Sequence, residues 1–154
     1  MGLRDLASNR SSGVAYYMII AQLPKRGTDA FGSGAYHASR GSRTHKGIDY
    51  ACYPNTQIHS PIAGYVSKWG LCYSGEDFQY IEITTPDKAR HRFFYVHPGL
   101  QKGTTVHIND YIGYSQNIAL KYTTKKKVMT NHVHYEILLP DGSDVDPVWY
   151  GKTN

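Results

Sequence analysis

From Gln57 to Leu139 the chain repeats one pattern: short runs alternating apolar and polar side chains, each ended by glycine, proline or an Asn-Asp pair. Alternation with period two puts successive side chains on opposite faces of a strand, so these runs read as strands buried on one side. QIHSPIAGYVSKWG alternates until Gly64 interrupts it, which predicts two short strands or a bulge. DFQYIEITTPD forms the next strand and ends in a Pro-Asp turn. HRFFYVHPGL reads as one strand stopped by Pro98-Gly99, and GTTVHINDYIGYSQN as two strands around Asn109-Asp110. NHVHYEILL is the last long strand, followed by a turn at Pro140-Asp141-Gly142. No segment carries a long 3.6-residue apolar period, and there is no internal repeat. Fifteen glycines, seven prolines and fourteen tyrosines point the same way. The expectation is a mainly β chain, a single domain built on an antiparallel sheet, since 154 residues suit one core.

The first thirty residues read as an arm (1–13) and a first strand, VAYYMII. Val14–Leu23 is apolar enough to mimic a signal segment. Its two tyrosines, Pro24 and the lack of a small-residue cleavage site argue for a strand, so no signal peptide is expected. No apolar run approaches the roughly 20 residues of a membrane span. Residues 23–44 are dense in Gly, Ser and Arg and read as a long loop, the kind that often carries function. The net charge of +5 favours an acidic partner, whether bacterial wall, anionic membrane face or nucleic acid. Lys125, Lys126 and Lys127 read as a solvated loop, and no groove-reading element accompanies them, so nucleic-acid binding is not expected. With two cysteines and no CxxC, a cysteine zinc ribbon is excluded. Spacing leaves open whether Cys52 and Cys72 pair.

Two short segments carry the chemistry, His45-Lys46-Gly47-Ile48-Asp49 and His132-Val133-His134. His132 and His134 share one sheet face, and each would need its own polar partner to be plain core. His45 and Asp49 would be roughly 13 Å apart along a straight strand at about 3.3 Å per residue. Gly47 between them offers the freedom for a bend. Two imidazoles and a carboxylate are a donor set that suits a catalytic zinc with one position left open. There is no HExxH glutamate, so histidine is the candidate for proton transfer. His97 ends a strand before Pro98-Gly99, and Tyr95 shares its expected face. Glu136 continues the face of His132 and His134, and reads as satisfying a neighbouring arginine or backbone group rather than as a ligand. His37, His59, His91 and His107 read as surface residues or as residues supporting the site from behind.

FGSGAYHASRGSRTHKGIDY, SPIAGYVS, FYVHPGL, DYIGYS, HVHYEI and DVDPVWY occur in this order between Phe31 and Tyr150. Together they resemble the lysostaphin-like zinc endopeptidases that cut bacterial peptidoglycan. The resemblance implies a domain over 31–150 with a substrate groove above its sheet, bordered by long loops. It implies one zinc ion on His45, Asp49 and His134, with His97 and His132 as the catalytic pair and Tyr95 assisting. A zinc-activated water would then attack a peptide carbonyl of peptidoglycan. With no signal peptide expected and no separate wall-binding module read in these residues, a phage lysin or virion-associated enzyme acting at the cell wall is expected, as a monomer. Met129-Thr130-Asn131 stands where the family often has Gly-Pro. Parts of the chain also resemble a vertebrate chemotaxin branch that keeps the zinc ligands without peptidase activity. That branch lacks the histidine matched here by His97, and the alternative it implies is a zinc-stabilised binding or signalling module.

Overall fold

The computed structural model describes residues 23–40 and 43–147. The expected arm, the VAYYMII strand and nearly all of the signal-like segment lie outside the described residues. Two ribbons come first, β1 (Thr28–Asp29) with β2 (Gly32–Ser33), then β3 (Ser39–Arg40) with β4 (Arg43–Thr44). There follow β5 (Gly47–Ala51), β6 (Gln57–His59), β7 (Gly64–Leu71), β8 (Gln79–Thr84), β9 (Arg90–Phe94) and β10 (Val96–Pro98). The chain continues through β11 (Thr105–Val106), β12 (Tyr111–Ser115), α1 (Ala119–Tyr122), β13 (His132–Leu138) and β14 (Asp144–Val145). Among the described residues α1 is the only α-helix contained whole, and no helix there is long and apolar enough to cross a membrane. Cys52 and Cys72 are free thiols.

A seven-stranded antiparallel sheet runs in the order β11-β7-β8-β9-β13, with β5 and β14 sharing the far edge of β13. A second sheet, β10-β12-β6, packs beside it. Both readings of QIHSPIAGYVSKWG hold, for it makes two strands and the register of β7 slips between Val66 and Lys68.

The pleat of β13 sorts the molecule into two faces. Val133, Tyr135 and Ile137 point one way and join Ile48, Tyr50, Ile81, Ile83 and Phe93 in the core. His132, His134 and Glu136 point the other way. Opposite them in register sit Asp49 across from His134 on β5, and Phe94 and Arg92 across from His134 and Glu136 on β9. One face of the sheet holds the fold and the other holds the chemistry.

Two sequence expectations change here. HRFFYVHPGL is not one strand, because Tyr95 adopts φ +68 and splits it into β9 and β10, which belong to different sheets. A left-handed conformation at a non-glycine residue costs about 1–2 kcal/mol. It is held by Tyr95 N–H donating to Gln79 O and Gln116 N–H donating to Tyr95 O, both at 2.8 Å. Tyr95 and His97 therefore do not share a strand face. Gly47 is not a bend either. It lies in β5 opposite Glu136, where a Cβ would sit 2.1 Å from Tyr135 O, so it is the close approach of two backbones that requires glycine.

Candidate metal centre

His45 precedes β5, pinned by its N–H donating to Ala38 O (2.8 Å) and its carbonyl accepting from His37 N–H (2.7 Å). That placement, rather than a strand geometry, lets it reach Asp49. His45 Nε2 lies 3.0 Å from Asp49 Oδ1 and 2.9 Å from His134 Nδ1, and His134 Nδ1 lies 2.9 Å from Asp49 Oδ1. All three residues are largely shielded, with side chains 9%, 2% and 12% exposed.

The other ring nitrogens decide what this triangle is. His45 Nδ1 is 2.9 Å from Ala35 O, which accepts only, so Nδ1 carries the proton and Nε2 a lone pair. His134 Nε2 is 2.9 Å from Glu136 Oε1, which makes Nε2 the donor and leaves Nδ1 as the nitrogen that a metal ion would take in place of its proton. With the Asp49 carboxylate, three potential ligand atoms then face one another within 3.0 Å, an arrangement that a shared proton or a metal ion stabilises. A tetrahedral ion with bonds of about 2.0–2.1 Å keeps its ligand atoms about 3.3 Å apart, so a small relaxation admits zinc. The residues present fit the ion.

Without a metal ion, a proton on His134 takes that place. Burial opposes charge on His134, but its hydrogen bonds with Asp49 and Glu136 outweigh that and carry it up to about 9. Burial would also raise Asp49, yet hydrogen bonds with His134 and His45 hold it far below the usual carboxylate range. Glu136 keeps its charge against burial through its bond with His134, with Arg92 Nη1 3.8 Å away. Arg92 in turn binds Glu82 at 2.7 Å. The sequence reading of Glu136 as a partner for arginine was half of its role; its nearer task is to fix the tautomer of His134.

His132 sits beside the triangle, its Nε2 3.5 Å from Asp49 Oδ2. Its Nδ1–H donates to Thr130 O at 2.7 Å, so the unexpected Met129-Thr130-Asn131 segment supplies its orienting carbonyl. Burial lowers its pKa, despite the charge of Asp49, so it is neutral at neutral pH with a lone pair on Nε2. Tyr95 packs edge-on against His132 with ring centroids 5.4 Å apart. Its hydroxyl joins Tyr73 (3.2 Å), which accepts from Tyr122 (3.0 Å), and burial pushes it up to about 12.

His97 stands apart from this cluster, exposed on β10, with its ring stacked on Tyr114 at 4.9 Å. Its Nδ1–H donates to Gln79 Oε1 at 2.7 Å, which leaves Nε2 as an acceptor. Gln79, Tyr73 and Tyr122 carry no motif that a sequence reading could seize. Of the remaining histidines, His37 and His107 are exposed and pair with Asp144 and Asp110. His59 and His91 are buried, bonded to Asn109 O and to the Tyr135 hydroxyl. Lys125, Lys126 and Lys127 are exposed, as a solvated loop requires.

No curated protein sequence matches the chain. Among solved structures, a mutant of the catalytic domain of the prophage-encoded M23 protein EnpA from Enterococcus faecalis is similar with TM-score 0.60. The identity is 22%, over 85% of this chain and 93% of that one. The catalytic domain of the antimicrobial peptidase lysostaphin from Staphylococcus simulans gives TM-score 0.64 at 18% identity, covering 88% of this chain and 97% of that domain. Against longer lysostaphin the match spans 50% of that chain. At these identities the likeness is one of fold, and it agrees with the antiparallel sheet above. The sequence pattern described as Peptidase family M23 matches residues 43–147, a span that contains His45, Asp49, Tyr95, His97, His132 and His134, and the chain belongs to that family.

Proposed function

We propose that this chain is a zinc-dependent endopeptidase that hydrolyses peptide stems or cross-bridges of bacterial peptidoglycan. The observation that carries the reading is the triangle of potential ligand atoms His45 Nε2, Asp49 Oδ1 and His134 Nδ1, each residue oriented by a hydrogen bond or ion pair behind it. Membership of a peptidase family supports hydrolysis of a peptide bond, and the likeness in fold to lysostaphin and EnpA supports the wall as substrate. The prophage origin of EnpA favours a phage lysin or virion-associated role, and the net charge of +5 suits an acidic wall.

A zinc ion at this site supplies Lewis acidity toward water and the peptide carbonyl. The residues around it do the rest. His132, neutral and held by Thr130, accepts a proton on Nε2 and returns it to the leaving amine. His97, held in the matching tautomer by Gln79, shares proton transfer from the rim of the site. Tyr95 keeps its proton at neutral pH and donates a hydrogen bond to the negative charge that develops on the carbonyl oxygen. Residues 31–150 form the peptidase domain on this reading, with the arm before it.

The test is turbidity loss of purified sacculi with native, zinc-stripped and His97→Ala protein side by side. Lysis is expected from native protein alone, restored to the stripped protein by zinc, and mass analysis of the released fragments names the bond. Absence of lysis on both Gram types, with zinc confirmed bound, overturns the peptidase reading in favour of a binding module.

A further inference from the structure

Arg26 had no place in the sequence reading and lies outside residues 43–147, yet it reaches the metal centre. Its side chain is only 3% exposed, and its donors are divided between two carboxylates. Nε and Nη2 form a two-point fork on Asp29, at 2.9 and 2.7 Å, while Nη1 donates to Asp49 Oδ2 at 2.9 Å. The backbone joins in, with Arg26 N–H donating to Asp49 O at 2.8 Å. Gly34 keeps the passage open, since a Cβ there would lie 2.8 Å from Arg26 Cβ and 2.9 Å from Asp49 Cβ.

Asp29 is anchored in its own right, accepting from Phe31 N–H and Thr130 N–H at 2.8 and 2.9 Å. Thr130 is the residue whose carbonyl orients His132. A continuous hydrogen-bonded line therefore runs from His132 through Thr130, Asp29 and Arg26 to Asp49.

A carboxylate beside a divalent ion has two equivalent oxygens and can bind through one or both. Binding through both would fill the position that a catalytic ion keeps free. In this structure Oδ1 faces the two histidine nitrogens and Oδ2 is committed to a charge-assisted bond. We propose that Arg26 is a positioning residue that confines Asp49 to one-oxygen ligation and so keeps the fourth metal position open for reaction. The proposal rests on the zinc-peptidase reading. A purely architectural salt bridge would tie down the arm without influencing the geometry at the ion.

Cobalt(II) in place of zinc separates the two roles, because four-coordinate cobalt absorbs strongly in the visible and five- or six-coordinate cobalt weakly. The whole chain is loaded with one cobalt per molecule, and its visible absorption and rate on sacculi are compared with those of two variants. The native protein is expected to give the strong four-coordinate spectrum. Arg26→Gln is expected to lose several-fold in intensity and at least 10-fold in rate while still binding one cobalt. Arg26→Lys retains the buried charge that the fold needs but replaces the planar fork by one ammonium, and is expected to move the same way to a smaller extent. Asp29→Asn leaves the Arg26–Asp49 bond in place and should lower thermal stability with the spectrum unchanged.

A variant at Arg26 that folds, binds one cobalt and keeps the native spectrum and rate removes the positioning role and leaves the peptidase reading intact. A weak spectrum from the native protein also overturns it. Native protein that binds no metal overturns the peptidase reading itself.

Discussion

Each of four histidines commits one ring nitrogen to an acceptor and turns the other toward chemistry. His45 leans on Ala35 O, His132 on Thr130 O, His134 on Glu136 and His97 on Gln79. For a metal ligand such a partner fixes both ring orientation and basicity, and its loss weakens binding about 10–100-fold. Glu136→Gln is therefore expected to lower zinc affinity by about that factor, read by chelator competition, because an amide cannot match the carboxylate as an acceptor. For Tyr95 the hydroxyl is what counts. Tyr95→Phe keeps the ring packed on His132 and removes one hydrogen-bond donor, a deletion worth about 10²–10³ in rate at a developing oxyanion. Turbidity assays on sacculi should show that loss with circular dichroism unchanged. An unaltered rate would exclude Tyr95 from catalysis.

The pairing of β5 with β13 sets the distance between Asp49 and His134, and so the width of the donor triangle. Gly47 lets those strands meet, and Gly47→Ala would drive a methyl group into Tyr135 O. We expect a loss of about 3 kcal/mol, at the upper end of overpacking, measured as a shift in the urea midpoint. Zinc affinity should fall with it as the strands part. The strands themselves were legible because alternation survives in one-sided burial: Ile81, Ile83 and the β13 face that carries both histidines needed no tertiary information. His45 and Asp49 were legible as a pair, but the reason they meet was not, since it lies in backbone bonds to Ala38 and His37. The break at Tyr95 was hidden for a similar reason. FFYVH has β-branched and aromatic residues throughout, and only contacts with Gln79 and Gln116, distant in sequence, impose a left-handed residue on it. Arg26 was invisible because an arginine in a polar loop has no signature until the fold closes over it.

Over the whole molecule, the face of the sheet opposite the metal centre also contains a titratable group. His91 is fully buried on β9, its Nδ1 2.7 Å from the Tyr135 hydroxyl, with Phe93 and Tyr135 stacked beside it. Burial lowers its pKa from 6.5 to about 4, against the pull of Asp87. In the unfolded chain the same imidazole takes up a proton near its ordinary pKa. Between those two values the unfolded state binds more protons than the folded one, so stability rises with pH across that window. The contribution is fully present above about pH 6.5 and is lost as pH falls toward 4, amounting to about 3 kcal/mol. The site face carries ionisable groups of its own, which is why the variant comparison matters. His91→Gln retains a polar partner for Tyr135 but cannot be protonated, and both metal-free proteins can be melted from pH 7 to pH 4. The native melting temperature is expected to fall more steeply than that of the variant. Equal slopes would show that acid destabilises this fold through the site face alone, and that the core face is indifferent to pH.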